Sequence, residues 1–142
     1  MPLINFGSIL NFAEELEQGD YVFYSTLIQN SECIQDKEIY EKFSTDAKKN
    51  VKTVQRARRE NVTEMILEPI VDFTRASYTI EYGNGETMNA PEALESASKL
   101  EERAERYYTE ASEKIKALPE VARILKLLAK KRRAHLGMIE SR

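Results

Sequence analysis

One cysteine and one histidine are all the thiol and imidazole that the 142 residues carry. Cys33 therefore has no partner for a disulfide and no companions for a zinc cluster. That excludes stapled secreted scaffolds and zinc-nucleated folds, and leaves a reducing cytoplasm as the expected setting, with Cys33 simply packed. Long apolar runs are also missing. The opening "MPLINFGSILNF" has no basic flank and passes straight into "AEELEQGD", so neither a signal peptide nor a spanning helix is expected, and no membrane association. Neither sign of charge prevails, the formal net charge being −3. No global field then draws in nucleic acid, and none is expected as a partner. The run "KKRR" at Lys130 to Arg133 has no interleaved aromatic platform and reads as charge near a helix C-terminus. "YGNGE" has two glycines but no phosphate-loop pattern, so it reads as a turn.

What the chain does have is helical periodicity, and enough length for one domain with a real core, 1–142. Leu10, Ala13, Leu16, Tyr24, Leu27 and Ile28 recur at threes and fours, which predicts a helix over about 8–30. After the polar turn "NSECIQDKEIY", the residues Ile39, Phe43, Ala47, Val51, Val54 and Ala57 predict a second over about 36–67, stopped by Pro69. Pro91 suits the first turn of a third, 91–117, with the stripe Leu94, Ala97, Leu100, Ala104, Tyr108, Ala111 and Ile115. The break at Leu118 and Pro119 separates a fourth, 119–141.

Between them, 68–90 is a connection rich in β-branched and aromatic residues. Short links join antiparallel neighbours, whereas a helix of ~27 residues is about 40 Å long and needs at least ~12 extended residues to be traversed. The expected fold is therefore all-α: two antiparallel helical hairpins joined by one long crossover, with the third helix parallel to the second, as in ferritin-like bundles.

Sliding the first helix onto the third by 84 positions matches Leu10 with Leu94, Ala13 with Ala97, Leu16 with Leu100, Glu17 with Glu101 and Tyr24 with Tyr108. The hairpins read as copies of one unit. In both copies a glutamate lies on the apolar stripe, seven residues before a tyrosine on the same face, and carboxylates rarely sit there unpartnered. "FAEELEQGDYVFY" and "SASKLEERAERYY" resemble the first and third helices of rubrerythrins and the wider ferritin-like di-iron family, and the resemblance extends over nearly all four helices.

It implies a glutamate ligand from each of those helices and Glu-x-x-His from each of the other two, together holding two metals. The chain departs from that pattern at three of the six positions. In "RRAH", His135 takes the histidine position but Arg132 takes the glutamate position. In "FSTDAKKNVKTV", Ala47 and Asn50 take the corresponding pair. A downstream Cys-x-x-Cys pair, such as the electron-donor domain of full rubrerythrins carries, is not present in the sequence either.

The expectation is a degenerate site in which the Arg132 guanidinium stands where metal charge would otherwise be, serving Glu17 and Glu101 through its planar fork of donors and favouring the charged form of both. Asn50 and His135 complete the expected polar core. Tyr24 and Tyr108 lie around it, packing their rings and each donating one hydrogen bond. Two functional readings follow. In the first the protein is a scaffold or interaction protein, a homodimer as the resemblance implies, with no cofactor and no catalytic residue. In the alternative, Glu17, Glu101 and His135 bind iron, manganese or zinc in an oxidoreductase or iron-handling protein, with Asp20 or Asp46 assisting if helical phase allows.

Overall fold

The computed structural model describes residues 6–61, 70 and 73–142. Four long helices follow one another: α1 Phe6–Ile28, α2 Lys37–Glu60, α3 Ala90–Lys114 and α4 Pro119–Glu140. The architecture is the all-α four-helix bundle that the periodicity predicts, with α1 packed on α2 and α3 on α4.

The helix ends follow from particular residues. Asn30, expected inside the first helix, instead caps a 3-10 turn over Ser31–Asp36, its side chain accepting from Glu32 N at 2.8 Å. The described α2 runs to Glu60, and the Asn61 amide turns back to Ala57 O at 2.8 Å. The expected continuation over 62–67 lies outside the described residues. α3 opens on a capping box between Asn89 and Glu92, which satisfies two of the donors that a helix start otherwise leaves free. It ends three residues sooner than expected because Ile115 and Leu118 both turn inward. The chain passes through Leu118 N→Ile115 O at 2.9 Å into Pro119.

Cross-helix pairs fix the directions. Glu17 faces Tyr108 while Tyr24 faces Glu101, so α1 and α3 are antiparallel. Glu17 faces Asn50 while Tyr24 meets Phe43, so α1 and α2 are antiparallel too. Hence α2 and α3 are parallel, and the connection must run the length of the bundle. Its described part does so over α1 and α3. Phe73 stacks on Tyr107, Arg75 pairs with Glu15 at 2.5 Å, Tyr82 reaches Asp20, and Asn30 holds Gly85 O and Met88 O at 2.7 and 2.8 Å. The segment's described residues include a 3-10 turn, Arg75–Ser77. Gly85 permits the last approach, since a Cβ there would collide with Thr26 Oγ1.

Two apolar clusters fill the bundle. One holds Ile9, Leu10, Phe12, Leu16, Tyr107 and Leu125 among others; the second, toward the other end, holds Phe23, Tyr24, Leu27, Tyr40, Phe43 and Leu100. Cys33 packs in the second. Each fully buried Leu or Phe contributes roughly 1.5–3 kcal/mol. Tyr40 is a local exception: its ring stacks on Tyr24 at 6.0 Å, but its buried hydroxyl has no hydrogen-bond partner among the described residues. Tyr40→Phe is therefore expected to raise stability by about 1 kcal/mol, read as a higher urea midpoint at unchanged slope. Among the described residues no helix is long and apolar enough to cross a membrane.

Candidate functional site

Between the two apolar clusters lies a polar layer. Glu17, Asp20, Asn50, Glu101, Arg132 and His135 are all at most 3% exposed. Each is on the inner stripe of its helix: Glu17 and Asp20 one turn apart on α1, Asn50 on α2, Glu101 on α3, Arg132 and His135 one turn apart on α4.

Arg132 is at the centre. Its Nη1 donates to Glu101 Oε2 at 2.6 Å, and its Nη2 donates to Glu17 Oε1 at 2.7 Å and Asp20 Oδ2 at 2.9 Å. Its repeat counterpart on α2 is the small, buried Ala47, which leaves room for one guanidinium where the bundle's symmetry would bring two long side chains together. Around this centre the two copies of the repeat are reciprocal. Tyr24 from the first hairpin donates to Glu101 of the second at 2.5 Å, while Tyr108 of the second donates to Glu17 of the first. Asn50 Nδ2 donates to Glu17 Oε1 at 3.2 Å, and His135 Nδ1 lies 2.8 Å from Glu101 Oε1. The other His135 nitrogen lies 2.8 Å from Asp46 Oδ2, and the ring stacks on Phe43 at 4.1 Å. A neutral imidazole donates to one of these carboxylates, an imidazolium to both.

The layer reaches further than the sequence reading placed it. Asp20 accepts from Arg132 and also, through Oδ1, from Arg103 Nη2 and Tyr82 Oη, each at 2.6 Å. Asp20 thus joins two buried guanidiniums, one of them beside the crossover. Arg103 and Tyr82 were not anticipated. Tyr82 comes close because position 19 is glycine: a Cβ there would lie 2.5 Å from the Tyr82 hydroxyl.

Burial pushes Glu101 up, but the Arg132 charge, His135 and Tyr24 outweigh it and hold its pKa below the usual glutamate value. At Glu17 the balance reverses. Burial, with the like charge of Asp20 adding to it, exceeds the pull of Arg132 and the Tyr108 hydrogen bond, and the pKa rises. Arg132 thus favours the charged form of both glutamates, as expected, but only at Glu101 does it prevail; at Glu17 burial and the Asp20 charge outweigh it. Burial, then the facing glutamates, push Tyr24 and Tyr108 well above the ordinary phenol value, so both remain donors.

These directions have opposite consequences for stability. Glu101, with its lowered pKa, stabilises the fold above the usual glutamate range and loses that contribution as pH falls through the lowered value. Glu17, with its raised pKa, weakens the fold as pH rises through the raised value. At pH 7, Glu101→Gln is expected to cost about 3 kcal/mol and Glu17→Gln only about 1 kcal/mol. The acid limb of the stability profile should flatten in Glu101→Gln alone, as read by urea unfolding from pH 3 to 8.

The donor set does not fit a two-metal centre. Of the positions that such a centre needs, Ala47 offers no donor, Asn50 uses its amide nitrogen on Glu17, and Arg132 spends two hydrogen bonds on Glu17 and Glu101, the carboxylates that would be ligands. Among the described residues no three of His, Cys, Asp and Glu are grouped as a metal ion requires.

A family model described as Rubrerythrin matches residues 92–141, the second helical hairpin. No curated protein matches the chain. No solved structure matches it either.

Proposed function

In a ferritin-like bundle whose second hairpin is rubrerythrin-like, we propose that the polar layer is structural: the protein is a scaffold or interaction protein in which Arg132 supplies the positive charge that two metals supply in di-iron bundles. The observation that carries this is the buried guanidinium donating to carboxylates of both hairpins at 2.6–2.9 Å. A dication entering the same space meets a fixed positive charge and carboxylate oxygens already engaged. Removing Arg132 from the pocket to admit it would strand a buried charge, at about 3–5 kcal/mol.

The layer therefore ties α1, α3 and α4 together in one register, and through Asp20 it ties the crossover to them. Buried polar groups of this kind specify one arrangement of helices more than they add net stability. Protein purified without chelator and then given Fe(II) in air should retain no stoichiometric metal and consume no oxygen beyond the buffer blank. One tightly held ion per chain, removed by Glu17→Gln or Glu101→Gln, would refute this reading and establish an iron-handling site in its place.

A further inference from the structure

The helices divide their charge by position. α1 carries four acids and no base, and α3 seven acids against four bases. α2 carries eight bases against four acids, and α4 six against two. α2 packs beside α4, and the described part of the crossover lies over α1 and α3, so the basic pair forms one side of the bundle that this part leaves open. Even setting aside Arg132, buried in the polar layer, and Arg58 and Arg133, paired with Glu14 and Glu105, basic residues outnumber acids on this side, although the net charge of the chain is slightly negative.

On that side, between the C-terminal half of α2 and the N-terminal half of α4, runs a groove of about 440 Å³. Its floor is apolar: Ile124 and Leu128, with Leu127 at 48% exposure one of the few large apolar side chains left open to water. Its rims are cationic. Arg56 on α2 and Lys131 on α4 both line it, both are exposed, and neither makes an ion pair among the described residues. Arg123 also lines it, tied to Glu120 at 3.2 Å, and Glu60 is the remaining acid. The size lies within the range of small-ligand sites, and an apolar floor is their usual base, though this lining is more heavily charged than most.

We propose that this groove binds a single-chain anionic amphiphile of the fatty-acid class, its alkyl chain on Ile124, Leu127 and Leu128 and its head group between Arg56 and Lys131. Charge complementarity selects the head: Arg56 and Lys131 are unpaired among the described residues, and the lining carries three cations against two acids, so a neutral chain would leave the pair unused and a cationic one would be disfavoured. The floor selects the tail, since a small anion would gain nothing from Leu127. From Arg123 to Lys131 the α4 side of the groove is about 12 Å long, which suits a chain of medium length. The site shares no residue with the polar layer, so its failure leaves the reading of that layer untouched.

The test uses the whole chain and sodium decanoate below its micelle concentration, followed by amide shifts in ¹⁵N–¹H spectra. Saturable shifts confined to residues 53–61 and 120–131 are expected. Decyltrimethylammonium and acetate should each bind at least about tenfold more weakly. Leu127→Asp and the pair Arg56→Glu with Lys131→Glu, all at exposed positions, should each weaken decanoate binding at least about tenfold while leaving the far-ultraviolet circular dichroism unchanged. Equal binding of the cationic chain would mean nonspecific apolar adsorption and overturn the proposal, as would equal binding of acetate or decanoate shifts that never saturate. Binding to phosphatidylglycerol vesicles with the same dependence on Leu127 would overturn it in favour of a membrane surface.

Discussion

Arg132→Leu should lower the unfolding free energy by about 3–5 kcal/mol, because it leaves three buried carboxylates without the charge that faces them. Leucine fills part of the volume, so the loss is electrostatic more than a cavity effect. The more discriminating measurement is the same substitution in a Glu17→Gln, Glu101→Gln background. There only Asp20 loses a charged partner, and Asp20 keeps Arg103 and Tyr82 at 2.6 Å. The cost of Arg132→Leu should then fall by at least about 2 kcal/mol, a coupling well above the scatter of independent sites. Additive effects would mean that the guanidinium and the glutamates do not act as one group. Arg132→Lys should lie between, since an ammonium keeps the charge but loses the planar fork that serves both hairpins at once.

The helices and their directions were legible because the apolar period and the length of the crossover are both written locally. Glu17 and Glu101 could be placed inward because the repeat shows each in the same phase beside a tyrosine, and Tyr24 and Tyr108 do meet the glutamate of the opposite copy. The end of the second helix is not legible in the same way: the apolar period continues past Asn61, and periodicity carries no information about a side chain that turns back to its own helix, as the Asn61 amide does to Ala57 O.

Asp20 and Asp46 lie one turn from the inner stripe residues Glu17 and Phe43, so phase alone left them at its margin. Their partners Arg103 and His135 come from other helices. Arg103, two residues beyond Glu101, sits off the α3 stripe and reads as solvated; the Tyr82 that joins it at Asp20 comes from an irregular segment whose course no helical period reveals. One local signal was present. Gly19 stands in mid-helix, where glycine costs about 1 kcal/mol relative to alanine, so its presence there marks a close approach by something else, which is the Tyr82 ring.

The change Ala47→Glu, Asn50→His and Arg132→Glu should turn the layer into a metal site, because it restores the six donors that the rubrerythrin resemblance implies around Glu17, Glu101 and His135. Without metal this triple variant buries four glutamates in one layer with the arginine gone, and like-charge repulsion with desolvation should leave it poorly folded or molten. Co(II) should then drive folding: two ions per chain by titration, visible absorption from coordinated cobalt, and a melting temperature that rises with metal concentration, since an ion bound only by the native state stabilises it by mass action. Asp20 should stay with Arg103 and Tyr82, so the crossover contact survives the exchange. Arg132→Glu alone should show none of this, having neither the α2 donor pair at positions 47 and 50 nor the compensating charge. A triple variant that folds without metal, or that takes up no Co(II) when refolded in its presence, would mean that Ala47 and Asn50 are not the counterparts of Arg132 and His135, and that the guanidinium fills a hole of some other origin.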